Sequence, residues 1–538
     1  MKLFHTVTGR RLRVAGAGAL VLAATACGGA ASGDTGSGDT LTVAVPTLGT
    51  MDFAPATSEG DNEKFLMMLG DNLVGADPGT GEIVPELAES WTLSPDGLVW
   101  TFTLRPDVQF HDGWGTVTAD DVMFSWGEWI SEESLHPNAD QYRRAVGGTI
   151  AGFRVIDDLT FELHAQEPVT ELLRLVCSCN PGMTVFPREY YEQEGEAADD
   201  HPIGTGPWQF VSASPGDELV FERFDEYWGT VPEAQRLVMK EVPDDSARLL
   251  QVQSGAVQMA QLSGSLVGEA EAAGVAIMTI PDIANAWVEL GGSYWGEPEL
   301  DAGSPWIQAD EPEKGLAIRE ALSLAIDREL ILEEVLSGYG QLTTAPLFQF
   351  PGNPGLADES LGYPEYDPDL ARRKLAEGGY PDGFEVTMPI YSVDIDTAAM
   401  TEAIAGMWEE IGINVTRKPT EEGLQRDLEM EYATQGLAYV RLTGPNPEMV
   451  RYVKGLGPFA IITHPLITEA YEAITAEPDE AARSAVYRGV SAALRENEIA
   501  LTLMTGDMLF AASDDIESWT PMPSINAINR LETVTFAD

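Results

Sequence analysis

The stretch of sequence that decides the fold is PELAESWTLSPDGLVWTFTLRPDVQFHDGWGTVTADDVMFSW, residues 85–126. Within it, Trp100, Phe102 and Leu104 alternate with threonines, which is the period of a strand with one buried face. Residues 94–97, Ser-Pro-Asp-Gly, are typical of a tight turn and come just before that strand. The pattern therefore predicts a hairpin whose second strand packs its aromatic face into a core.

A helix pattern follows the hairpin, and strand and helix patterns alternate along the rest of the chain. Thr118, with Asp121 three residues later, has the capping-box pattern of a helix start. The other predicted elements are a strand over 41–45, a helix over 316–336, a helix from Asp367-Pro368 to Gly378-Gly379, a helix over 397–411 and a strand over 413–417. Such alternation is typical of an α/β protein, and we expect more than one sheet.

Composition limits both the number of lobes and the class of partner. The chain has 538 residues, more than one ordinary core supports, so two or three lobes are expected. Its 87 acidic and 31 basic residues give a formal net charge of −56, and the carboxylates are spread along the whole sequence. A field of that sign repels phosphate backbones, so the composition argues against nucleic-acid binding.

The N-terminus has the organisation of an export signal. Basic residues precede a short apolar run, Val14–Ala26, that is too short to span a bilayer. Cys27 follows the small residues at the end of this run and resembles the cysteine of a lipoprotein lipobox, whose thiol is acylated and which becomes the mature N-terminus. We therefore expect a signal peptide over 1–26, lipidation at Cys27 and a flexible tether over 27–40.

The two remaining cysteines, Cys177 and Cys179, are separated by one residue. An even pair in an exported protein allows a disulfide, but closing a Cys-x-Cys ring is strained, so the default expectation is two ordinary side chains. Metal ligation would need further ligands, and none is close in the sequence. No metal site and no cofactor are expected.

An ordered set of motifs runs through the chain. In residues 85–126 these are Leu87-Ala88-Glu89-Ser90-Trp91, Asp96-Gly97, Trp100-Thr101-Phe102, Leu104-Arg105, Phe110-His111-Asp112-Gly113 and Ala119-Asp120-Asp121-Val122. Later come Gly204-Thr205-Gly206-Pro207, Tyr227-Trp228-Gly229, Ala325-Ile326-Asp327-Arg328 and Tyr366-Asp367-Pro368. The set resembles extracellular solute-binding protein family 5, the peptide- and nickel-binding proteins of ABC importers, over residues 40–510. Most motif residues are expected in turns or the core, and His111 is expected to be a turn residue rather than a ligand.

The resemblance implies a bilobal, periplasmic-binding-protein-like α/β fold of type II with an extra small domain, in which two lobes close on a ligand cleft. By analogy, lobe I is expected over 41–72, 204–284 and 507–538, the small domain over 73–203 and the distal lobe over 285–506. The implied function is capture of a peptide or peptide-like solute and its delivery to an ABC permease with its ATPase subunits. The protein is then a monomer and not an enzyme. Its lipid anchor holds it at the outer face of the cell membrane or in the periplasm.

The resemblance also implies where a ligand binds. In peptide-binding members, an Asp on a loop of the distal lobe takes the α-ammonium group; here Thr443 falls near that position and Arg441 lies two residues earlier. A buried ammonium without an acid is costly, whereas Arg441 suits a carboxylate or another anion; a surface or interlobe salt bridge is the alternative role for Arg441. Further expected contacts are the aromatic residues Trp287, Tyr294, Trp295 and Tyr142, with Trp408 a weaker candidate.

Three other functions compete with peptide capture. An exported hydrolase would need a recognisable motif, and G-x-S-x-G, H-E-x-x-H and G-x-x-x-x-G-K are absent from the sequence. The same fold also suits a nickel or iron chelate, a heme or an oligosaccharide. The third alternative is a receptor or adhesion lipoprotein without a role in transport.

Overall fold

The hairpin and the capped helix predicted from residues 85–126 are both confirmed. Strands Ala88–Leu93 and Val99–Leu104 pair antiparallel. The helix Ala119–Trp129 begins directly after Thr118, whose backbone N–H and hydroxyl donate to the Asp121 carboxylate at 2.9 and 2.7 Å. The local sequence therefore fixes this part of the fold.

The computed structural model describes residues 39–57, 61–79, 82–134, 150–166, 168–169, 172–179, 183–295, 304–308, 310–346, 358–390, 396–420, 431–443, 464–477, 479–523 and 527–537, with the single residues 139, 143, 146, 428, 462 and 525. Ser37–Asp538 form one compact unit. The expected signal peptide, Cys27 and nearly all of the tether lie outside the described residues. Within the described part of the chain, no helix is long and apolar enough to cross a membrane.

Nineteen strands and twelve α-helices lie in the described residues. The strands are β1 Thr40–Val45, β2 Val74–Ala76, β3 Ile83–Pro85, β4 Ala88–Leu93, β5 Val99–Leu104, β6 Phe153–Asp157, β7 Thr160–His164, β8 Trp208–Ser214, β9 Glu218–Arg223, β10 Arg236–Glu241, β11 Met259–Leu262, β12 Ala276–Leu290, β13 Gly340–Leu342, β14 Glu385–Ile390, β15 Asn414–Pro419, β16 Ala438–Thr443, β17 Leu501–Ala512, β18 Ile516–Ser518 and β19 Thr535–Phe536. The helices are α1 Asp61–Leu69, α2 Ala119–Trp129, α3 Leu172–Leu175, α4 Arg188–Glu194, α5 Asp245–Gln253, α6 Val267–Ala272, α7 Pro312–Leu324, α8 Arg328–Glu334, α9 Pro368–Glu377, α10 Thr397–Glu410, α11 Pro465–Ala476 and α12 Glu480–Glu496.

A mixed nine-stranded sheet organises the fold. Its strand order is β16-β12-β17-β11-β1-β10-β9-β8, with β13 paired to β17. Strand β1 runs parallel to β10 and β11, whereas β17 runs antiparallel to β11 and β12. Smaller sheets in the described residues are β4-β5-β7-β6, β2-β3, β14-β15 and β18-β19. The expectation of a mixed α/β protein with more than one sheet is confirmed.

The helix predictions have mixed outcomes. Helix α9 begins where predicted, because Asp367 accepts the backbone N–H of Leu370 at 2.7 Å. The single helix predicted over 316–336 is wrong, since α7 ends at Leu324 and α8 begins at Arg328. Asp327 accepts the Leu330 N–H at 3.0 Å and so caps a second helix. Apolar periodicity continues through this break and therefore does not reveal it.

The default expectation for the cysteines is also wrong. Cys177 and Cys179 form a disulfide between Cα atoms 5.0 Å apart, a separation within the range that a bridge requires. The intervening Ser178 donates its N–H to the Val74 carbonyl oxygen at 2.8 Å, and Val74 donates to Val176 at 3.3 Å. A turn held against β2 thus brings the two cysteines together, and the sequence spacing does not indicate this turn.

Two of the family-like motifs meet at the end of α1. His111 is buried, its Nδ1 accepts the Gly204 N–H at 3.3 Å and its Nε2 lies 2.9 Å from the Gly206 carbonyl oxygen. These contacts assign a neutral ring with the proton on Nε2. A Cβ on Gly204 would stand 2.2 Å from the carbonyl oxygen of Leu69, so the close approach to α1 requires glycine. Burial lowers the pKa of His111 to about 4.

Replacing His111 with Gln should lower the free energy of unfolding at pH 7. It should also make that free energy vary less with pH between pH 4 and pH 6.5. The folded-state pKa lies below the ordinary 6.5, so the neutral ring stabilises the fold above pH 6.5, and this contribution is lost as the pH falls toward 4. Its maximum is on the order of 3 kcal/mol. Urea denaturation of both proteins across this pH range measures the effect. Equal slopes for His111→Gln and the unmodified protein would contradict the assigned neutral ring.

Candidate functional site

One face of strands β12 and β16 brings together two residues that the sequence predicts for the ligand site, Trp287 and Arg441. Trp287 lies directly opposite Arg441, and Glu289 lies opposite Tyr439. Directly opposed residues share a face, as do residues two apart on a strand, so these four side chains lie on one face. The other face carries residues of the main core, namely Ala286, Val288, Leu290, Ala438 and Val440. The strand pairing thus separates an apolar face from one with charged and aromatic groups.

Arg441 and Glu289 form an ion pair on the charged face. Arg441 Nε lies 3.2 Å from Glu289 Oε2; the Glu289 side chain is 0% exposed and that of Arg441 is 16% exposed. A carboxylate buried to this degree is costly unless a cation compensates it. Sequence reasoning missed Glu289 because the residue is distant from Arg441 in the chain. The available signal was an acid within the mostly apolar run 283–290.

Trp287 packs into a second apolar cluster and has no exposed surface. Its neighbours belong to α11, α12 and the residues beside them; they are Ile462, Ile467, Ala470, Ile474, Tyr487, Val490, Leu494, Ile499 and Ala500. The indole therefore joins β12 to these two helices in the conformation described. Its contact with a ligand stays a prediction.

Tyr294 and Trp295 follow β12 directly but lie in different surroundings. The hydroxyls of Tyr294 and Thr434 are hydrogen-bonded at 2.8 Å, and Tyr294 is buried. Trp295 is partly exposed, with its ring centroid 5.2 Å from that of His464 and 5.6 Å from the Arg319 guanidinium carbon. A cation over an indole ring holds it in place. Among the predicted aromatic residues that the structure describes, Trp295 is the one that keeps open surface.

Two basic groups beside Trp295 differ in charge. Burial, and then the positive charge of Arg319, lowers the pKa of His464 to about 4, so this imidazole is neutral at pH 7. Its Nδ1 accepts the Leu466 N–H at 3.2 Å at the start of α11. Burial lowers the pKa of Arg319 only to about 10, and its Nε donates to the Asn497 carbonyl oxygen at 2.9 Å. Arg319 therefore carries the positive charge under Trp295.

The other predicted site residues have different outcomes. Thr443 pairs through its backbone with Asn285 at the end of β16, and its side chain lies outside the description. Tyr142 and Cys27 lie outside the described residues. Trp408 is buried, and its Nε1 donates to a backbone carbonyl oxygen of α7 at 3.0 Å. The structure therefore places Trp408 in the core.

A polar cavity of about 300 Å³ lies elsewhere, beside the Tyr227-Trp228 motif. Asp71 is buried there and accepts hydrogen bonds from the Tyr227 hydroxyl at 2.8 Å and Trp228 Nε1 at 2.9 Å. Glu86 and Glu532 line the same cavity; burial raises the pKa of Glu86 to about 8 and that of Glu532 to about 7. The predicted ligand-binding residues that the structure describes are not among those that line this cavity. Sequence reasoning missed the cluster because it joins three distant segments.

A protein-family model matches most of the chain. The model is described as "Bacterial extracellular solute-binding proteins, family 5 Middle" and matches residues 82–455. This segment is more than half of the 538 residues and contains the hairpin motifs, His111 and Arg441. The chain belongs to family 5 of the bacterial extracellular solute-binding proteins. The resemblance seen in the motifs is therefore confirmed.

Curated relatives of this family 5 protein are named for several ligands. Heme-binding protein A of Haemophilus influenzae is 28% identical over 370 residues, which are 64% of this chain and 63% of that protein. The Dipeptide-binding protein of Escherichia coli is 27% identical over 404 residues, 70% of this chain and 71% of that protein. The match thus spans less than two thirds of the Haemophilus protein.

A solved structure shares the fold of this family 5 protein. It is the ABC transporter-associated periplasmic binding protein DppA from Helicobacter pylori in complex with the peptide STSA. The TM-score is 0.70 at 20% identity, with 92% of this chain and 98% of that chain covered. The prediction of a periplasmic-binding-protein-like α/β fold is confirmed.

Replacing Arg441 with Ala should destabilise this family 5 protein, because Glu289 then stays buried without the Arg441 cation. Breaking a buried ion pair from one side costs about 3–5 kcal/mol in the free energy of unfolding. The double variant Arg441→Ala/Glu289→Gln should lose less than the sum of the two single variants, since the uncompensated charge is gone. Thermal denaturation of all four proteins measures this coupling.

Arg417→Ala is the matched control, because Arg417 pairs with Glu402 and Glu409 on the surface. Its effect should stay below about 1 kcal/mol. If the losses in the free energy of unfolding for the two single variants add up to the loss of the double variant, Arg441 and Glu289 are not energetically coupled.

Proposed function

We propose that this protein is the substrate-binding subunit of an ABC importer that captures a peptide or peptide-like solute outside the cell. It then presents the solute to the membrane permease. The observation that carries the proposal is the family match across residues 82–455, which include the charged face of β12 and β16. The relatives reported above are named for what they bind, which supports capture without chemistry. The protein is accordingly proposed to be a binding protein and not an enzyme.

The proposed lobes follow the path of the chain through the large sheet. Lobe I comprises 41–72, 204–284 and 507–538, the small domain 73–203 and the distal lobe 285–506. Adjacent strands β1, β8, β9, β10 and β11 come from the first two segments of lobe I, which supports this grouping. Strands β12 and β17 carry the chain between the two lobes. The ligand is proposed to lie where the charged face of β12 and β16 meets the cleft.

Arg441 is proposed to receive the carboxylate of the ligand. Its guanidinium is partly exposed and is held from one side by Glu289. A planar guanidinium suits a bidentate carboxylate better than a flexible ammonium does. The Trp295 ring packs against the Arg319 guanidinium and offers a flat surface for an apolar or aromatic part of the ligand.

Heme or a metal chelate is the second candidate cargo. The likeness to Heme-binding protein A favours it, because that relative is 28% identical over 370 residues. An anionic chelate and a heme propionate also present carboxylates to Arg441. The two candidates therefore share the arginine and differ in the size and shape of the ligand.

The proposed location is the outer face of the cell membrane or the periplasm. The basic residues and the short apolar run before Cys27 support it, because they have the pattern of a signal peptide over 1–26, with lipidation at Cys27 and a tether over 27–40. Two or three acyl chains hold a protein firmly to a bilayer, while one chain holds it marginally. The protein is proposed to act there as a monomer.

Binding of defined probes tests the proposed cargo. The probes are Ala-Ala-Ala, the same tripeptide with an amidated C-terminus, heme and a nickel–histidine chelate, each measured by isothermal titration. The free tripeptide should bind the unmodified protein, and C-terminal amidation should weaken binding by roughly tenfold or more, as one charge-assisted contact is lost. Arg441→Lys should weaken binding of the free tripeptide to a similar degree and leave the affinity for the amidated tripeptide unchanged. Lysine keeps the positive charge but cannot form the bidentate contact of a guanidinium.

Arg417→Lys is the matched control and should bind like the unmodified protein. Binding of heme or of the chelate, with none of either tripeptide, would replace the peptide proposal with the second cargo. Equal affinity for the free and amidated tripeptides would refute the role of Arg441.

A further inference from the structure

The pairing of the long strands β12 and β17 has two register shifts, and the larger one, between Ile280 and Ala284, divides the large sheet into two parts. Residues 276–280 of β12 pair with 508–512 of β17, next to β11. Residues 284–288 pair with 501–506, next to β16 and β13. Between them the register shifts, and Asp282 takes a positive φ of 53°. We name residues 281–283 with 506–507 the joint, since both strands pass through it from one part to the other.

Two carboxylates meet at the joint. The Asp282 backbone N–H donates to Asp507 Oδ1 at 3.0 Å, and the Thr505 hydroxyl donates to Asp282 Oδ1 at 2.6 Å. Gln341 Nε2 on β13 lies 3.5 Å from Asp282 Oδ2. Asp282 is only 5% exposed, and Asp507 is half-buried. The donors in these contacts are neutral, so the hydrogen bonds position the two acids without neutralising them.

The charged groups that face the joint come from several elements. A cavity of about 120 Å³ beside it is lined by Asp507, by Arg248 of α5, by Tyr339 and by Asp396 at the start of α10. Arg248 is already engaged, since its Nη2 lies 2.8 Å from Asp245 and its Nη1 donates to the Val242 carbonyl oxygen at 2.7 Å. Burial, and then the charge of Asp245, raises the pKa of Asp396. Burial, and then the charges of Glu271 and Asp507, raises the pKa of Tyr339.

The surroundings of the joint are therefore more negative than positive. Among the groups named above, Arg248 is the cation that faces the joint, and its charge is balanced by Asp245. Asp282 and Asp507 remain as neighbouring acids at the joint, and Asp396 at the start of α10 lines the cavity beside Asp507. Like charges that are taken out of water together favour the uptake of a proton. An arrangement that separates the acids, or exposes them to water, favours their ionised form.

We propose that Asp282 and Asp507 make the joint sensitive to protons: uptake of a proton stabilises the arrangement described here, and its loss loosens the connection between the two parts. Burial raises the pKa of both carboxyl groups and outweighs the lowering by the Thr505 hydrogen bond at Asp282 and by the Asp282 N–H at Asp507; the Asp282 charge then adds to the rise at Asp507. Because both values are raised in this arrangement, the stabilisation is present at lower pH and is lost as the pH rises through them. The inference concerns the ligand-free protein and does not depend on the cargo.

Hydrogen exchange of the ligand-free protein tests the proposal. Amide exchange in 276–290 and 501–512 is followed from pH 4 to pH 8 by mass spectrometry and corrected for the intrinsic effect of pH. In the unmodified protein, the protection of these strands should fall as the pH rises, by roughly tenfold for one unit of difference between the pKa values of the two arrangements. Asp282→Asn and Asp507→Asn imitate the protonated acids and keep the oxygens that accept from Thr505 and from the backbone. Both variants should keep at pH 8 the protection that the unmodified protein has at low pH.

Asp514→Asn, an exposed aspartate just beyond β17, is the control and should behave like the unmodified protein. Protection that does not depend on pH in the unmodified protein would overturn the proposal, as would a pH dependence retained in both joint variants. Two variants are used so that poor folding of one does not decide the result. If the protein shows the predicted exchange but binds none of the four probes named under the proposed function, the result supports proton sensitivity at the joint and contradicts the proposed cargo.

Discussion

The antiparallel pairing of β12 with β17 is the constraint on which the rest of the structure depends. These two strands are second and third in the order of the nine-stranded sheet, between β16 at one edge and the group that begins with β11. Their register places Asp282 beside Asp507, and the pairing of β12 with β16 places Glu289 beside Arg441. The joint therefore follows from the β12–β17 register and the charged face from the β12–β16 register, with β12 common to both. A register slip by one residue would turn the Trp287 and Glu289 side chains to the opposite face and destroy both features.

Local sequence predicted the features that depend on nearby residues. The hairpin, the Thr118 cap and the start of α9 at Asp367 each rest on residues within a few positions of one another. The family was predicted for the same reason, because its turns and core positions leave short ordered motifs. His111 shows why such motifs persist, since its ring fits between glycine backbones that approach α1 closely.

Features that depend on distant pairing escaped prediction. Glu289 becomes the partner of Arg441 only through strand register, and the sequence near Arg441 gave no sign of an acid. The break at Asp327 and the disulfide at Cys177 depend on turns that apolar periodicity and spacing do not encode. Trp287 was predicted from its position between the lobes, yet helices α11 and α12 cover it. The sequence thus predicted which segments form the proposed ligand site. The ion pair in that site and the helices that cover Trp287 became visible only in the folded structure.

Most acidic side chains of the described residues are exposed or half-buried, but several buried acids are compensated in different ways. Glu289 has a cation, Asp71 has three hydroxyl or indole donors, and Asp282 has neutral donors beside a second acid. Burial raises the pKa of an acid, whereas a nearby cation opposes that effect. The same chain therefore places an ion pair at the proposed ligand site and two neighbouring acids at the joint.

Native mass spectrometry of the protein purified from its own host tests solute capture most directly. The account predicts that part of the protein carries one non-covalent molecule in a 1:1 complex and that unfolding releases this molecule unchanged. The released mass then separates a peptide-like solute from heme or a metal chelate. Protein that carries no solute, together with no binding of any of the four probes, would contradict the claim that this chain is a solute-binding protein.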